Sequence, residues 1–156
     1  FILAANHPSY IDPPVVAALT GKKIRVLAKE ELFCNPLFRF YFNRVGAIAL
    51  KRKSSDFRAL RKAVYVLQKE PLLIFPQGIR GASWDTVHSG IGFLAKKSLA
   101  LVVLARVRGT EKVFSRNRSF WKRPRIEVVF SKFSNIEYKK SSKDIALDIM
   151  SKIKAL

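Results

Sequence analysis

The sequence predicts an α/β fold in which helices flank a single mixed sheet of about six or seven strands. Short apolar runs alternate with segments whose apolar residues recur at helical spacing, and this alternation is typical of α/β domains. The 156 residues, 49 % of them hydrophobic, suffice for one substantial core. We therefore expect a single domain over residues 1–156.

Six apolar runs are predicted to form strands because each is short and bounded by polar or turn-forming residues. They are Phe1–Ala5, Ile24–Ala28, Ala47–Leu50, Leu72–Phe75, Leu99–Val107 and Ile126–Phe130. The stretch from Val107 to Arg125 mixes Gly, Asn and Pro with basic residues, which predicts an exposed loop or short hairpin.

Two segments have the apolar periodicity of amphipathic helices. The repeated positions are Phe57, Leu60, Val64 and Leu67 in the first segment and Ile145, Ile149 and Ile153 in the second. Ser55 and Asp56 are placed to cap the first helix, and Ser141 with Asp144 forms a capping signal before the second.

The charge balance predicts an anionic partner. Thirty Lys and Arg against 11 Asp and Glu give a net charge of +19, more than solubility requires. Nucleic acid, an acidic membrane surface or a phosphorylated substrate would each satisfy this charge. No apolar run approaches the roughly 18 residues of a transmembrane helix, so we expect any membrane to be met from the side.

The lone Cys34 excludes an intramolecular disulfide and a cysteine-only zinc site. A single cysteine suits a reducing compartment, and we expect its side chain to be buried. The chain begins directly on a strand pattern at Phe1, so we also expect that a segment preceding it has been removed.

Polar motifs follow three of the predicted strands. His7 comes directly after the first strand, Lys51 and Arg52 follow the third, and residues 76–81 follow the fourth. In open α/β sheets ligands bind beyond the carboxyl ends of the strands, so these motifs are expected to converge in one pocket.

His7 and Asp12 are five positions apart, about 140° around a regular helix, so they can meet only across a turn. Pro8 and Pro13 favour such a turn. A carboxylate on one ring nitrogen would leave the other free to take a proton from a substrate hydroxyl. The alternative is that Asp12, directly before Pro13, is an ordinary helix N-cap and that His7 is a turn residue.

Arg52 and Arg80 lie where a fork of donors could grip a phosphate, although both could equally be solvated surface charges. Gly78 and Gly81 would allow backbone N–H groups to approach an oxyanion closely.

Four blocks of the sequence together resemble a known family. Asn6 to Asp12 resembles the NHxxxxD signature of the glycerol-3-phosphate and 1-acylglycerol-3-phosphate acyltransferases, and Phe75 to Arg80 resembles their FPEGTR signature. Gly46 to Arg52 resembles the strand-plus-Arg block between these signatures, and Ala28 to Phe33 is similar to the AKxEL segment.

The resemblance implies a glycerol-3-phosphate acyltransferase-like fold and acyl transfer without an acyl-enzyme. The histidine of the family, matched by His7, would deprotonate an acceptor hydroxyl, and Asp12 would orient that histidine. Arg52 and Arg80, with Lys51, Gln77 and Gly78, match positions that would bind the acceptor. The donor would be acyl-CoA or acyl carrier protein, the acceptor a lysophospholipid such as lysophosphatidate, and no cofactor or metal would be required.

Two positions depart from the family signature, because Gln77 replaces its Glu and Ile79 replaces its Thr. Gln77 keeps an acceptor oxygen but lacks the charge. The resemblance also implies a chain associated with the cytoplasmic face of an anionic membrane. The alternatives are an inactive relative that binds lipid and a basic nucleic-acid-binding module, although no nucleic-acid motif is recognised.

The aromatic segment from Phe33 to Phe42 carries more apolar residues than one face of a short helix can bury. Some of these side chains would insert into lipid, flanked by Arg39 and Arg44, or all of them would form core.

Overall fold

The computed structural model describes residues 1–51, 56–113 and 124–156. It contains six strands, five α-helices and two short 3-10 helices. The strands are β1 (Ile2–Ala5), β2 (Arg25–Lys29), β3 (Ile48–Leu50), β4 (Leu72–Ile74), β5 (Val102–Arg108) and β6 (Glu127–Phe133). The helices are α1 (Asp12–Leu19), α2 (Pro36–Arg44), α3 (Phe57–Leu67), α4 (Gly90–Ser98) and α5 (Ser142–Ala155). The 3-10 helices span Glu30–Cys34 and Thr110–Lys112.

All six strands form one sheet in the order β3-β2-β4-β1-β5-β6. The strands β1 to β5 are parallel, and β6 pairs antiparallel with β5. Every residue of β1 and β4 is buried, which is expected of parallel strands covered on both faces. The predicted mixed six-stranded sheet is confirmed.

Two apolar layers cover the sheet. The helices α3, α4 and α5 pack on the face that carries Ile2, Leu72 and Leu104. The opposite face carries Leu3 and Val26 and packs against Val16 of α1. This division follows from right-handed crossovers, because the chain leaves β1 toward β2 in one direction and returns through β4 toward β5 in the other.

The predicted helix caps are present where the structure describes them. The carboxylate of Asp56 accepts a hydrogen bond from the N–H of Ala59 (3.1 Å), and Ser141 Oγ accepts one from the N–H of Asp144 (3.1 Å). Ser55, the other predicted cap of α3, lies outside the described residues.

Three sequence predictions need correction. The fifth strand begins at Val102 rather than Leu99, because Leu99 ends α4 in the left-handed conformation. Cys34 is exposed rather than buried, since it ends a surface 3-10 helix. The predicted exposed loop from Val107 to Arg125 begins with the end of β5 and a buried turn at Thr110.

In the described part of the chain, no helix combines the length and the apolar character needed to cross a bilayer.

Candidate active site

The site lies at the carboxyl edge of the sheet, between β1 and β4. From these neighbouring strands the chain departs to opposite faces, toward α1 on one side and α4 on the other. Such a switch point opens a crevice between the two outgoing loops, and ligands of open α/β sheets bind in crevices of this kind. His7 is on the loop after β1, and Gln77 is on the loop after β4.

The first loop brings His7 and Asp12 together across a turn. The Nδ1 atom of His7 lies 2.8 Å from Oδ2 of Asp12, and the N–H of Ser9 donates to the same oxygen (2.6 Å). Although α1 begins at Asp12, its carboxylate points back into the loop, and the N-cap position is Ile11. The contact expected for the catalytic interpretation is therefore present, and the N-cap interpretation of Asp12 is wrong.

Thr110 completes the hydrogen bonding of Asp12, and the sequence did not single it out. Its hydroxyl donates to Oδ1 of Asp12 (2.6 Å), and both side chains are fully buried. The preceding Gly109 has a φ of 86°, and a Cβ there would collide with the carbonyl of Arg125. The sequence signal for this residue was a Gly–Thr pair at the end of a predicted strand. Nothing in the local sequence shows that the threonine contacts a carboxylate 98 residues away.

Asn6 holds the ends of β1 and β5 in register beside this contact. Its Oδ1 accepts from the N–H of Val107 (2.7 Å), and its Nδ2 donates to the carbonyl of the same residue (2.9 Å). Thr110 follows only three residues later, so Asn6 contributes to the placement of the Thr110 hydroxyl beside Asp12.

The imidazole of His7 is arranged to accept a proton. Its ring stacks on Phe75 with centroids 4.2 Å apart, and its side chain keeps 16 % of its surface exposed. Because a carboxylate accepts from Nδ1, the proton of the neutral ring resides there, and the lone pair of Nε2 remains available. A hydroxyl placed at Nε2 could be deprotonated as it attacks an electrophile.

The second loop folds against the first through Gln77 and two glycines. Gln77 is buried, and its side chain bonds to the backbone of His7, Ala82 and Ser83. Gly78 and Gly81 have φ values of 65° and 62°, which non-glycine residues rarely adopt.

The N–H groups of these two glycines are used within the site. Gly78 donates to the carbonyl of Phe75 (2.9 Å), and Gly81 donates to the carbonyl of His7 (2.9 Å). Both glycines shape the loop and their own N–H groups have protein acceptors, while close approach of this loop's backbone to an oxyanion stays a prediction.

Arg80 lies over the ring of Tyr10, with the guanidinium carbon 3.0 Å from the ring centroid. Both residues are exposed, and among the described residues no carboxylate pairs with Arg80. The cation–π contact holds a basic group next to the first loop, where its remaining donors can meet an anion.

The motif of Lys51 and Arg52 is not close to His7 in the described part of the chain. Its Lys51 follows the edge strand β3, three strand positions from β1, or about 14 Å at the usual strand spacing. The Lys51 amine is exposed, 3.8 Å from the carboxylate of Glu30. It lines a surface groove that includes Arg58 and Lys62 but not His7. Arg52, predicted to bind phosphate, lies outside the described residues.

A model of the family described as Acyltransferase matches residues 1–153 of the chain. The chain belongs to the acyltransferase family. Two curated relatives of this acyltransferase are a 1-acyl-sn-glycerol-3-phosphate acyltransferase of Streptococcus pneumoniae (32 % identical over 62 % of this chain) and the epsilon form of that enzyme from Mus musculus (31 % over 76 %). The chain spans only 37 % and 36 % of these relatives.

The fold of this acyltransferase matches a solved structure. The 1-acyl-sn-glycerophosphate (LPA) acyltransferase PlsC from Thermotoga maritima superposes with a TM-score of 0.64 at 22 % identity, over 99 % of this chain and 65 % of that one. The fold implied by the resemblance is therefore confirmed.

Proposed function

We propose that this acyltransferase moves a fatty acyl group from a thioester donor, acyl-CoA or acyl carrier protein, to the hydroxyl of lysophosphatidate or a related lysophospholipid. The names of the two curated relatives support the acceptor class. The single observation that carries the chemistry is the contact of His7 with a buried carboxylate that Ser9 and Thr110 hold in place.

The proposed reaction uses His7 first as a base and then as an acid. Nε2 takes the proton of the acceptor hydroxyl as its oxygen attacks the thioester carbonyl carbon. The tetrahedral adduct then collapses, the C–S bond breaks, and the imidazolium returns its proton to the departing thiolate. The products are the new ester and a free thiol, and Asp12 stabilises the transient positive charge of the ring.

The acceptor phosphate is proposed to bind the exposed cations near the first loop. Arg80 supports this role because its guanidinium sits beside the loop that carries His7. Roles for Arg52, Lys51 and Gly78 in acceptor binding are proposed from the resemblance. The extension of the acyltransferase domain over residues 1–156 is a further proposal.

We further propose that the chain associates with the cytoplasmic face of an anionic membrane. Leu37 and Phe40 on α2 are 81 % and 74 % exposed, and the same helix carries the exposed charges of Arg39 and Arg44. The cytoplasmic leaflet is rich in anionic lipid and attracts basic residues by about 1 kcal/mol each. Phe42 on the same helix is buried, so the aromatic segment divides between core and surface.

The test of the catalytic proposal compares His7→Ala with His88→Ala, which removes the only other histidine. With radiolabelled acyl donor and lysophosphatidate, we expect His7→Ala to lower kcat by about 10²-fold to 10⁴-fold, the usual contribution of a general base, and His88→Ala to retain activity. Transfer that survives His7→Ala would remove His7 as the base. Wild-type protein that forms no product with any lysophospholipid or donor would favour the inactive lipid-binding relative.

A further inference from the structure

Gln77 occupies the place where the family signature has a glutamate, yet its side chain is only 4 % exposed. It follows β4 and faces the loop after β1, because these two strands are neighbours. Burial of a polar side chain requires hydrogen-bond partners, so the partners of Gln77 indicate its task.

Both ends of the Gln77 amide are used. Oε1 accepts from the main-chain N–H of His7 (3.1 Å), while Nε2 donates to the carbonyls of Ala82 (2.7 Å) and Ser83 (3.2 Å). The two hydrogen bonds from Nε2 link the ends of the loop over residues 77–83. The hydrogen bond to Oε1 connects this loop to the main chain of His7. A primary amide is the side-chain group that offers two donors and an acceptor on one plane.

The segment that follows β4 contacts His7 at two further points. The N–H of Gly81 donates to the His7 carbonyl (2.9 Å), and Phe75 stacks on the imidazole. Both main-chain hydrogen-bonding groups of His7 are therefore bound by the segment that Gln77 closes. We infer that Gln77 is a positioning residue for His7, which sets the direction of the imidazole through the backbone. The inference rests on the proposed function only in taking His7 as the base.

A glutamate would not reproduce these contacts in this loop. An ionised carboxylate only accepts hydrogen bonds, so it would face the carbonyl oxygens of Ala82 and Ser83 without a donor. A protonated carboxyl group has one donor and an acceptor, and it could restore the bonds to His7 and Ala82. Activity of Gln77→Glu relative to wild type should therefore depend on pH.

The experiment measures kcat and KM of wild type, Gln77→Glu and the nearly isosteric Gln77→Met between pH 6 and pH 9. We expect Gln77→Met to lower kcat about tenfold at every pH, as for loss of buried hydrogen bonds, with KM for lysophosphatidate within about twofold. For Gln77→Glu we expect the ratio of its kcat to that of wild type to rise as the pH falls, because protonation restores a donor.

Two kinetic outcomes would overturn the inference. A raised KM for lysophosphatidate with unchanged kcat would mean that Gln77 binds the acceptor itself. If the ratio of kcat of Gln77→Glu to that of wild type fell with falling pH, the new carboxylate would be acting through its charge, by an electrostatic effect on the imidazole of His7.

Amide hydrogen exchange tests the positioning role without activity. We expect the N–H groups of His7 and Gly81 to exchange faster in Gln77→Met than in wild type or in Gln68→Met, which alters the only other glutamine. Unchanged exchange would overturn the inference. Faster exchange in a protein with no transfer activity would instead remove the proposed function and leave the positioning contact standing.

Discussion

Asp12 is a buried carboxylate whose two oxygens accept three hydrogen bonds from separate parts of the chain. Ser9 and His7 donate to one oxygen, and Thr110 donates to the other. Because a buried carboxylate is tolerated only when its oxygens have donors, the hydroxyl of Thr110 satisfies Oδ1 and helps to keep the carboxylate directed at His7.

Thr110→Val removes this hydroxyl and nearly preserves the shape of the side chain. We expect kcat for acyl transfer to fall by about tenfold to a hundredfold, since a hydrogen bond to a charged group contributes about 1.5–3 kcal/mol. Steady-state assays at pH 8 measure the effect. Thr110→Ser retains the hydroxyl donor, so its kcat should be close to that of wild type. Equal kcat values of Thr110→Val and wild type would show that Asp12 does not need the hydrogen bond from Thr110.

At this scale the sequence predicts contacts within a motif better than contacts between motifs. The pairing of His7 with Asp12 follows from chemistry and a turn between prolines. The contact of Thr110 with Asp12 depends on β1 and β5 being neighbours, and the backbone contacts of Gln77 depend on the conformation of the loop. Neither the order of the strands nor the conformation of this loop can be predicted from the local amino-acid composition.

The helix α2 presents apolar side chains on its solvent side. Leu37 and Phe40 are three positions apart and therefore share a face, while Phe42 packs inward against Phe33 with ring centroids 5.2 Å apart. A short helix with this division fits an interface in which one face contacts protein and the other contacts lipid.

The double variant Leu37→Ser with Phe40→Ser tests this face. We expect its affinity for vesicles of phosphatidylcholine and phosphatidylglycerol to drop at least about tenfold, because burial of each apolar side chain in lipid contributes roughly 1.5–3 kcal/mol to binding. Leu19→Ser with Tyr65→Ser is the matched control, as these side chains are 58 % and 59 % exposed on other helices. Vesicle sedimentation measures the affinity of each double variant. Equal losses of vesicle affinity in both would argue against α2 as the surface that contacts lipid.

The strands were predicted better than the helices, for physical reasons. The central parallel strands β1 and β4 are buried on both faces and read as apolar runs, and each of the six predicted strands has a counterpart. In contrast, α4 begins with two glycines that disfavour helices, and its formation reflects close packing at Gly92, where a Cβ would meet the backbone carbonyl of Ser142. Tertiary packing of this kind overrides local propensity.

Across the whole molecule, Arg25 joins segments that are distant in sequence. Its guanidinium makes two hydrogen bonds to the carboxylate of Glu70 (2.7 and 2.9 Å) and a third to the carbonyl of Gly46 (3.1 Å). Arg25 thus links strand β2 to the turn before β3 and to the segment before β4. The hydrogen bond from Arg25 lowers the pKa of Glu70 below its ordinary value of 4.5.

A group with a lowered pKa in the folded state contributes stability above its unfolded pKa and loses it as the pH falls through the folded value. We therefore expect Glu70→Gln to have a lower Tm than wild type at pH 7 and the difference to shrink below about pH 4.5. Thermal unfolding followed by circular dichroism from pH 3 to pH 7 measures this. A difference that stays constant with pH would show that the ionised form of Glu70 is not what stabilises the fold.

The position of β1 in the middle of the sheet has a consequence for biosynthesis. Its partners β4 and β5 follow about 70 and 100 residues later, so on a ribosome adding about 5–20 residues per second this apolar strand waits several seconds for its first neighbour. During that interval His7 and Asp12 have already been synthesised, but their later contacts Gln77 and Thr110 have not. The hydrogen bonds around His7 and Asp12 can therefore be complete only after Thr110 has been synthesised, and until β4 follows, the nascent chain exposes an apolar strand that chaperones can recognise.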